Sequence, residues 1–242
     1  MSLLGPLLQV RASIEYRELV RSRTYAGIGV PRGDGSAVVL ATGFGMSQAS
    51  MEVLAGWLRR IGYRPTRADL GRNAGCSSAM AARLESRVER ACEQTGRRVG
   101  IVGHSRGGQL ARVVARRRPD LVRAVVTLGS PLGKRHVNGT LRLVGNGLVA
   151  ASALGFPGLV SRDCIAGTGC CEGYWRELDR PLSSAVALTQ VWSRRDGLVD
   201  ELGARPPDGG VHVDATHIGF IYNRSAFAVI GQALAPERSE DV

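Results

Sequence analysis

Lysine is almost missing from this chain: of its 32 basic residues only Lys134 is not an arginine. A GC-rich coding bias accounts for arginine over lysine, but not for the excess over 21 acidic residues that leaves a net charge of +11. A basic surface attracts anionic partners at long range. The arginines are dispersed, however, and the Arg116-Arg117-Arg118 run reads as a helix C-terminus, where cations offset the macrodipole. That pattern speaks against specific nucleic-acid binding and leaves room for peripheral contact with an anionic lipid surface.

Long apolar runs are missing too. None reaches the roughly 18 residues that a membrane-spanning helix requires. The stretch Met1–Arg11 is apolar, but it has neither a basic lead nor a small-residue cleavage site, so it does not read as a secretory signal. The expected location is therefore the cytoplasm. Five cysteines, an odd number without a signal, favour free thiols. Cys164, Cys170 and Cys171 lie close together in sequence, yet no histidine or second cysteine pair completes a zinc spacing, so no metal or cofactor is expected. Histidine is scarce as well: His104, His136, His212 and His217 are the whole supply for any catalytic imidazole.

What is present is a regular alternation. Residues 7–25 carry spaced apolar positions that predict an N-terminal helix, broken between Gly27 and Gly35. Strands are predicted at 37–42, 63–68, 98–102, 122–128, 187–192 and 211–214, with helices at 50–61, 77–94, 105–117 and 225–235 between or after them. Strands that alternate with helices of this length pair in parallel through right-handed crossovers, giving an α/β fold with a mostly parallel sheet and helices on both faces. One domain over 1–242 follows, with residues 1–30 as a helical extension. From 131 to 186 the alternation stops, and that stretch reads as a cap or lid inserted over the active rim, with Leu132, Leu141 and Leu148 as candidate apolar contacts.

The most informative segment is Val99-Gly-Ile-Val-Gly-His-Ser105-Arg-Gly-Gly108, an apolar run that meets a serine fenced by glycines and turns at once into a helix. A serine on such a tight strand-to-helix turn tolerates no bulky neighbours, and the first helical amides point at the space beside its oxygen. A serine hydroxyl needs a base, and the base needs an acid to fix its tautomer. His217, in a loop after a late strand, is the candidate base. His104 sits inside the elbow as a structural residue, and His136 and His212 fall in the insertion and in a strand. Asp196, released by Gly197 after the strand 187–192, is the candidate acid, with Asp200 as its rival. The backbone amides of Phe44, after the first strand, and of Arg106 are the candidate oxyanion donors.

With these residues placed, the chain resembles the α/β-hydrolase superfamily, and within it bacterial lipase and esterase relatives of the triacylglycerol lipase type. The resemblance runs from about residue 36 to 235 and is carried by Thr42-Gly-Phe-Gly45, Trp57-Leu-Arg-Arg-Ile-Gly-Tyr63, Gly103-His-Ser-Arg-Gly107, Leu128-Gly-Ser-Pro131, Ser193-Arg-Arg-Asp-Gly197 and Thr216-His-Ile-Gly219. It implies an α/β-hydrolase fold with a cap-like insertion after the sixth-strand region. It also implies a serine carboxylic-ester hydrolase working through an acyl-enzyme on a small-molecule ester or acyl substrate. An acyltransferase or thioesterase would use the same triad, and a catalytically silent partner-binding module would share the fold. Two positions depart from the family pattern. Arg106 stands where leucine, methionine or glutamine is usual, a charge that would bias the site toward acid or headgroup recognition. Thr42-Gly43 replaces histidine-glycine or proline-glycine.

Overall fold

The protein is described from a computed structural model that covers residues 4–132, 146–147, 149–150, 152, 154, 159–205 and 209–236. The chain begins with α1 (Leu4–Val20) and continues through β1 (Ala37–Ala41), α2 (Glu52–Arg60), β2 (Arg64–Arg67), α3 (Ser77–Thr95), β3 (Val99–His104), α4 (Arg106–Arg117) and β4 (Val122–Leu128). After the interrupted stretch come α5 (Arg162–Ala166), α6 (Glu172–Leu178), β5 (Ala187–Trp192), α7 (Glu201–Ala204), β6 (Val211–His212) and α8 (Arg224–Ala233).

The six strands form one sheet in the order β2-β1-β3-β4-β5-β6, and every neighbouring pair is parallel. Because side chains alternate across a strand, the apolar strands feed two cores. Val38 and Leu40 of β1 join Val102, Val126 and Leu128 on the face covered by Leu19, Trp57, Leu58, Phe227 and Ile230. Val39, Ile101 and Val125 point the other way, onto Leu84, Val88, Leu110, Val114, Tyr174 and Leu178. Helices therefore cover both faces, and the continuous burial of β1 and β3 is the physical origin of their unbroken apolar sequences.

Several boundaries differ from the sequence expectation. Helix α1 stops at Val20 rather than near 25, where the Ser22 hydroxyl donates to the Leu19 carbonyl at 2.6 Å and turns lead into Gly27. The helix expected from 50 opens as a 3-10 turn over Gln48–Met51 before α2 begins. The last strand keeps only Val211 and His212. The Val213 amide still donates to the Trp192 carbonyl at 2.9 Å, but the Ala215 amide turns to the Ser193 hydroxyl at 3.2 Å, and the chain leaves the sheet toward His217. His136, Leu141 and Leu148 lie outside the described residues. Of the expected cap, Val160 packs with Cys164, Cys171 and Phe44, while Tyr174 and Leu178 pack into the second core beneath α3 and α4.

The strand order reverses direction between β1 and β3. At such a switch point the loops leaving the two strands diverge to opposite faces and open a crevice at their carboxyl ends. Thr42-Gly43-Phe44 follows β1, and Ser105 follows β3.

Candidate active site

Ser105 sits between β3 and α4 with φ 52° and ψ −121°, a conformation a non-glycine residue adopts only under constraint. Its amide donates to the Leu128 carbonyl at 2.8 Å, and its carbonyl accepts from the Gly108 amide at 3.0 Å. The surrounding glycines make the turn feasible. A Cβ on Gly103 would lie 2.5 Å from the Gly107 backbone, and a Cβ on Gly107 would collide with the carbonyl of Ala41. The helix and the two central strands are thus pressed together with no side chain between them.

Asp196 and His217 are both almost fully buried, with residue exposures of 1% and 4%. The His217 Nδ1–H donates to Asp196 Oδ2 at 2.8 Å, and the His217 amide donates to the Asp196 carbonyl at 2.9 Å. Asp196 Oδ1 also accepts from the amides of Leu198 at 2.9 Å and Val199 at 2.7 Å, which fixes the carboxylate. With the Nδ1–H directed at Asp196, this tautomer leaves Nε2 as the acceptor of the ring. Asp200, the rival acid, is exposed and serves as the residue before α7. Gly129, just after β4, leaves the space that Asp196 uses: a Cβ there would stand 2.8 Å from Asp196 Oδ2.

His104 joins the two halves. It is fully buried, its ring lies 4.9 Å from the His217 ring, and its Nε2 donates to the His217 carbonyl at 2.8 Å. Burial, and then the neighbouring His217, lower its pKa from 6.5 to about 3, so it remains neutral. Its Nδ1, on the side of Gly43, has no partner among the described residues. Among those residues the Ser105 hydroxyl likewise makes no side-chain hydrogen bond.

The side chain of Arg106 behaves differently from the expectation. It is buried, donating to the carbonyls of Asn73 at 2.7 Å and Gly75 at 2.5 Å and to the Ser77 hydroxyl at 3.0 Å. These bonds support the 73–77 loop, and the guanidinium carbon lies 5.5 Å from the centroid of the Phe44 ring. Asn73, buried with φ 50°, also donates from Nδ2 to the Thr42 carbonyl at 2.7 Å and so holds the loop that carries Phe44. His212 stacks edge-on against Trp192 at 4.7 Å and takes no part in the cluster.

Two supporting residues escaped the sequence reading. Glu15, on α1, accepts from the Thr216 amide at 3.0 Å and from the Thr216 hydroxyl at 2.8 Å, and that hydroxyl in turn accepts from the Gly219 amide at 3.0 Å. The loop bearing His217 is therefore tied to a helix about two hundred residues earlier. Asn73 carries one signal, since asparagine tolerates positive φ. Glu15 looks like any solvated helix carboxylate.

The model of the palmitoyl protein thioesterase family matches residues 37–180, more than half of the chain. The chain belongs to that family. The matched span contains the elbow serine and Thr42-Gly43-Phe44 of this family member, and ends before Asp196 and His217. A comparison with curated protein sequences returned no match. Among solved structures, the mature lipase of Bacillus licheniformis shares 18% identity with a TM-score of 0.62, over 86% of this chain and 95% of that one. A soluble variant of the monoglyceride lipase of Saccharomyces cerevisiae shares 14% identity at a TM-score of 0.56, covering 85% and 89%. The monoacylglycerol lipase of Paleococcus ferrophilus shares 16% at 0.53, covering 85% and 96%. These likenesses establish the α/β-hydrolase fold for this palmitoyl protein thioesterase relative. Among the described residues no helix is long and apolar enough to cross a membrane.

Proposed function

We propose that this protein is a serine hydrolase of acyl esters and thioesters, with Ser105 as nucleophile, His217 as base and Asp196 as the acid that orients it. The observation that carries this reading is the buried 2.8 Å contact between His217 Nδ1 and Asp196 Oδ2, with the His217 ring 4.9 Å from that of His104, the residue before a serine held in a strained strand-to-helix turn. The family match adds long-chain acyl groups to the substrate class.

In the reaction, His217 Nε2 takes the Ser105 proton as Oγ attacks the acyl carbonyl. The backbone amides of Phe44 and Arg106 receive the charge on the carbonyl oxygen. Asp196 stabilises the imidazolium. Collapse of the tetrahedral intermediate expels an alcohol or thiol that leaves with the proton from His217, and the acyl group stays on Ser105 Oγ. Water repeats the cycle and releases the acid. Of the stretch expected as a cap, Val160 packs with Phe44, and the two offer apolar surface for the acyl chain.

Labelling with a fluorophosphonate probe tests the mechanism. Wild type is expected to be labelled and Ser105→Ala is not, and hydrolysis of p-nitrophenyl esters and palmitoyl thioesters is expected to rise with chain length. An unlabelled wild type overturns the nucleophile. Labelling without ester or thioester turnover moves the reading to an acyltransferase.

A further inference from the structure

Four of the five cysteines meet in space although they are scattered in sequence. The Sγ atoms of Cys76, Cys164, Cys170 and Cys171 all lie within 4.8 Å of one another. Cys76 is 3.5 Å from both Cys170 and Cys171, Cys170 is 3.8 Å from Cys171, and Cys164 is 4.0 Å from Cys170. Sulfurs bound tetrahedrally to zinc at about 2.3 Å stand about 3.8 Å apart, so the thiols already lie at about the spacing of that cage. Two disulfides would draw the four sulfurs into two close pairs, whereas Cys76 is equidistant from two partners.

The surroundings match a metal-thiolate centre in charge and in hydrogen bonding. A zinc ion with four thiolates carries a formal charge of about −2, and such charge needs compensation in a buried place. Arg106 supplies it: its guanidinium is buried, grips Gly75 and Ser77 on either side of Cys76, and has no carboxylate partner among the described residues. The Ser161 hydroxyl donates to Cys164 Sγ at 3.4 Å, an outer hydrogen bond of the kind that orients ligating thiolates. Cys164 and Cys171 are buried while Cys170 is exposed, which leaves a route of entry for the ion.

We propose that Cys76, Cys164, Cys170 and Cys171 form a structural zinc site. This departs from the expectation of uncommitted thiols, because linear spacing did not show that Cys76, ahead of α3, reaches the 164–171 segment. Binding displaces the four thiol protons to solvent and changes no oxidation state. All four positions are taken by protein ligands, so the ion has no open place for substrate and acts as a clasp. It joins the start of α3 to the segment carrying α5 and α6, against a cluster that includes Phe44. The proposal stands apart from the hydrolase reading and is tested without any activity measurement.

The full chain, purified under reduction, is expected to hold one equivalent of zinc by plasma mass spectrometry. Replacement with Co(II) is expected to give thiolate-to-metal charge transfer and the visible bands of a tetrahedral site. Cys170→Ser, at the exposed ligand, should lower zinc affinity at least tenfold, and Cys92→Ser should leave it unchanged. Stripping the metal from wild type should lower Tm by roughly 5 °C or more and release four titratable thiols. If the cysteine variant fails to fold, the Co(II) spectrum of wild type decides alone. A native mass lower by two disulfides, or metal-free protein with all five thiols free and unchanged Tm in the presence of Zn(II), overturns the proposal.

Discussion

The two halves of the candidate site are built by different physics. Around Ser105 the geometry comes from close backbone approach: Gly103, Gly107 and Gly108 let α4 press against β3, β1 and Ser130, and no side chain directs the turn. Around His217 it comes from side-chain hydrogen bonds reaching across the chain, from Asp196, His104 and Glu15. A fault in the first half has nowhere to relax, because packed backbone is stiff. In the second half a hydrogen bond can be lost while the fold survives. The contrast therefore predicts unfolding on one side and misaligned chemistry on the other.

The largest effect is expected at Asp196→Asn, which keeps the acceptor for the Leu198 and Val199 amides but favours the wrong imidazole tautomer. A loss of about 10⁴-fold in kcat with little change in Tm is expected, measured by ester hydrolysis alongside calorimetry. A matching loss of stability would erase the distinction between the halves. Next comes Gly107→Ala, whose methyl group meets the carbonyls of Ala41 and Thr42. It should cost roughly 3 kcal/mol or more in a denaturant titration, the upper end of overpacking penalties.

Glu15→Ala is expected to be milder. It removes both acceptors for Thr216 and should lower stability by about 1–2 kcal/mol, with kcat falling more than KM rises and Glu15→Gln partly restoring the rate. An unchanged kcat would leave Glu15 as an ordinary packing contact. The most gradual effect, spread over several pH units, is a slope. Because burial and His217 hold the His104 pKa near 3 in the fold against 6.5 unfolded, the unfolded chain binds more protons between those values, and stability falls as pH drops through that window. The slope is about 1.4 kcal/mol per pH unit. His104→Gln keeps a donor for the His217 carbonyl and should flatten that part of the curve, as read from urea midpoints at pH 6.5, 5 and 4.

The same contrast explains how much was legible in sequence. Strands β1, β3 and β4 are buried on both faces, so their apolar runs announced them. Ser105 was marked by its glycines, because steric exclusion writes itself into adjacent residues. Asp196 and His217, which the structure brings together, are legible as polar residues at strand exits. Glu15, Asn73 and the side chain of Arg106 were not, since their roles depend on partners far along the chain and their residue types are common on surfaces. Cys76 failed to join the other cysteines for that reason: its 94-residue separation from Cys170 hides a contact of 3.5 Å. The shortening of β6 was equally hidden, because Ser193 captures the Ala215 amide only once the fold exists.

The two outer strands have a consequence for behaviour in concentrated solution. At one end β2 reads Arg64-Pro65-Thr66-Arg67, where proline offers no N–H and Arg64 stands exposed, while Arg67 pairs with Glu52. At the other end β6 is only two residues long. Neither of these two strands presents a long template onto which another molecule could add a strand.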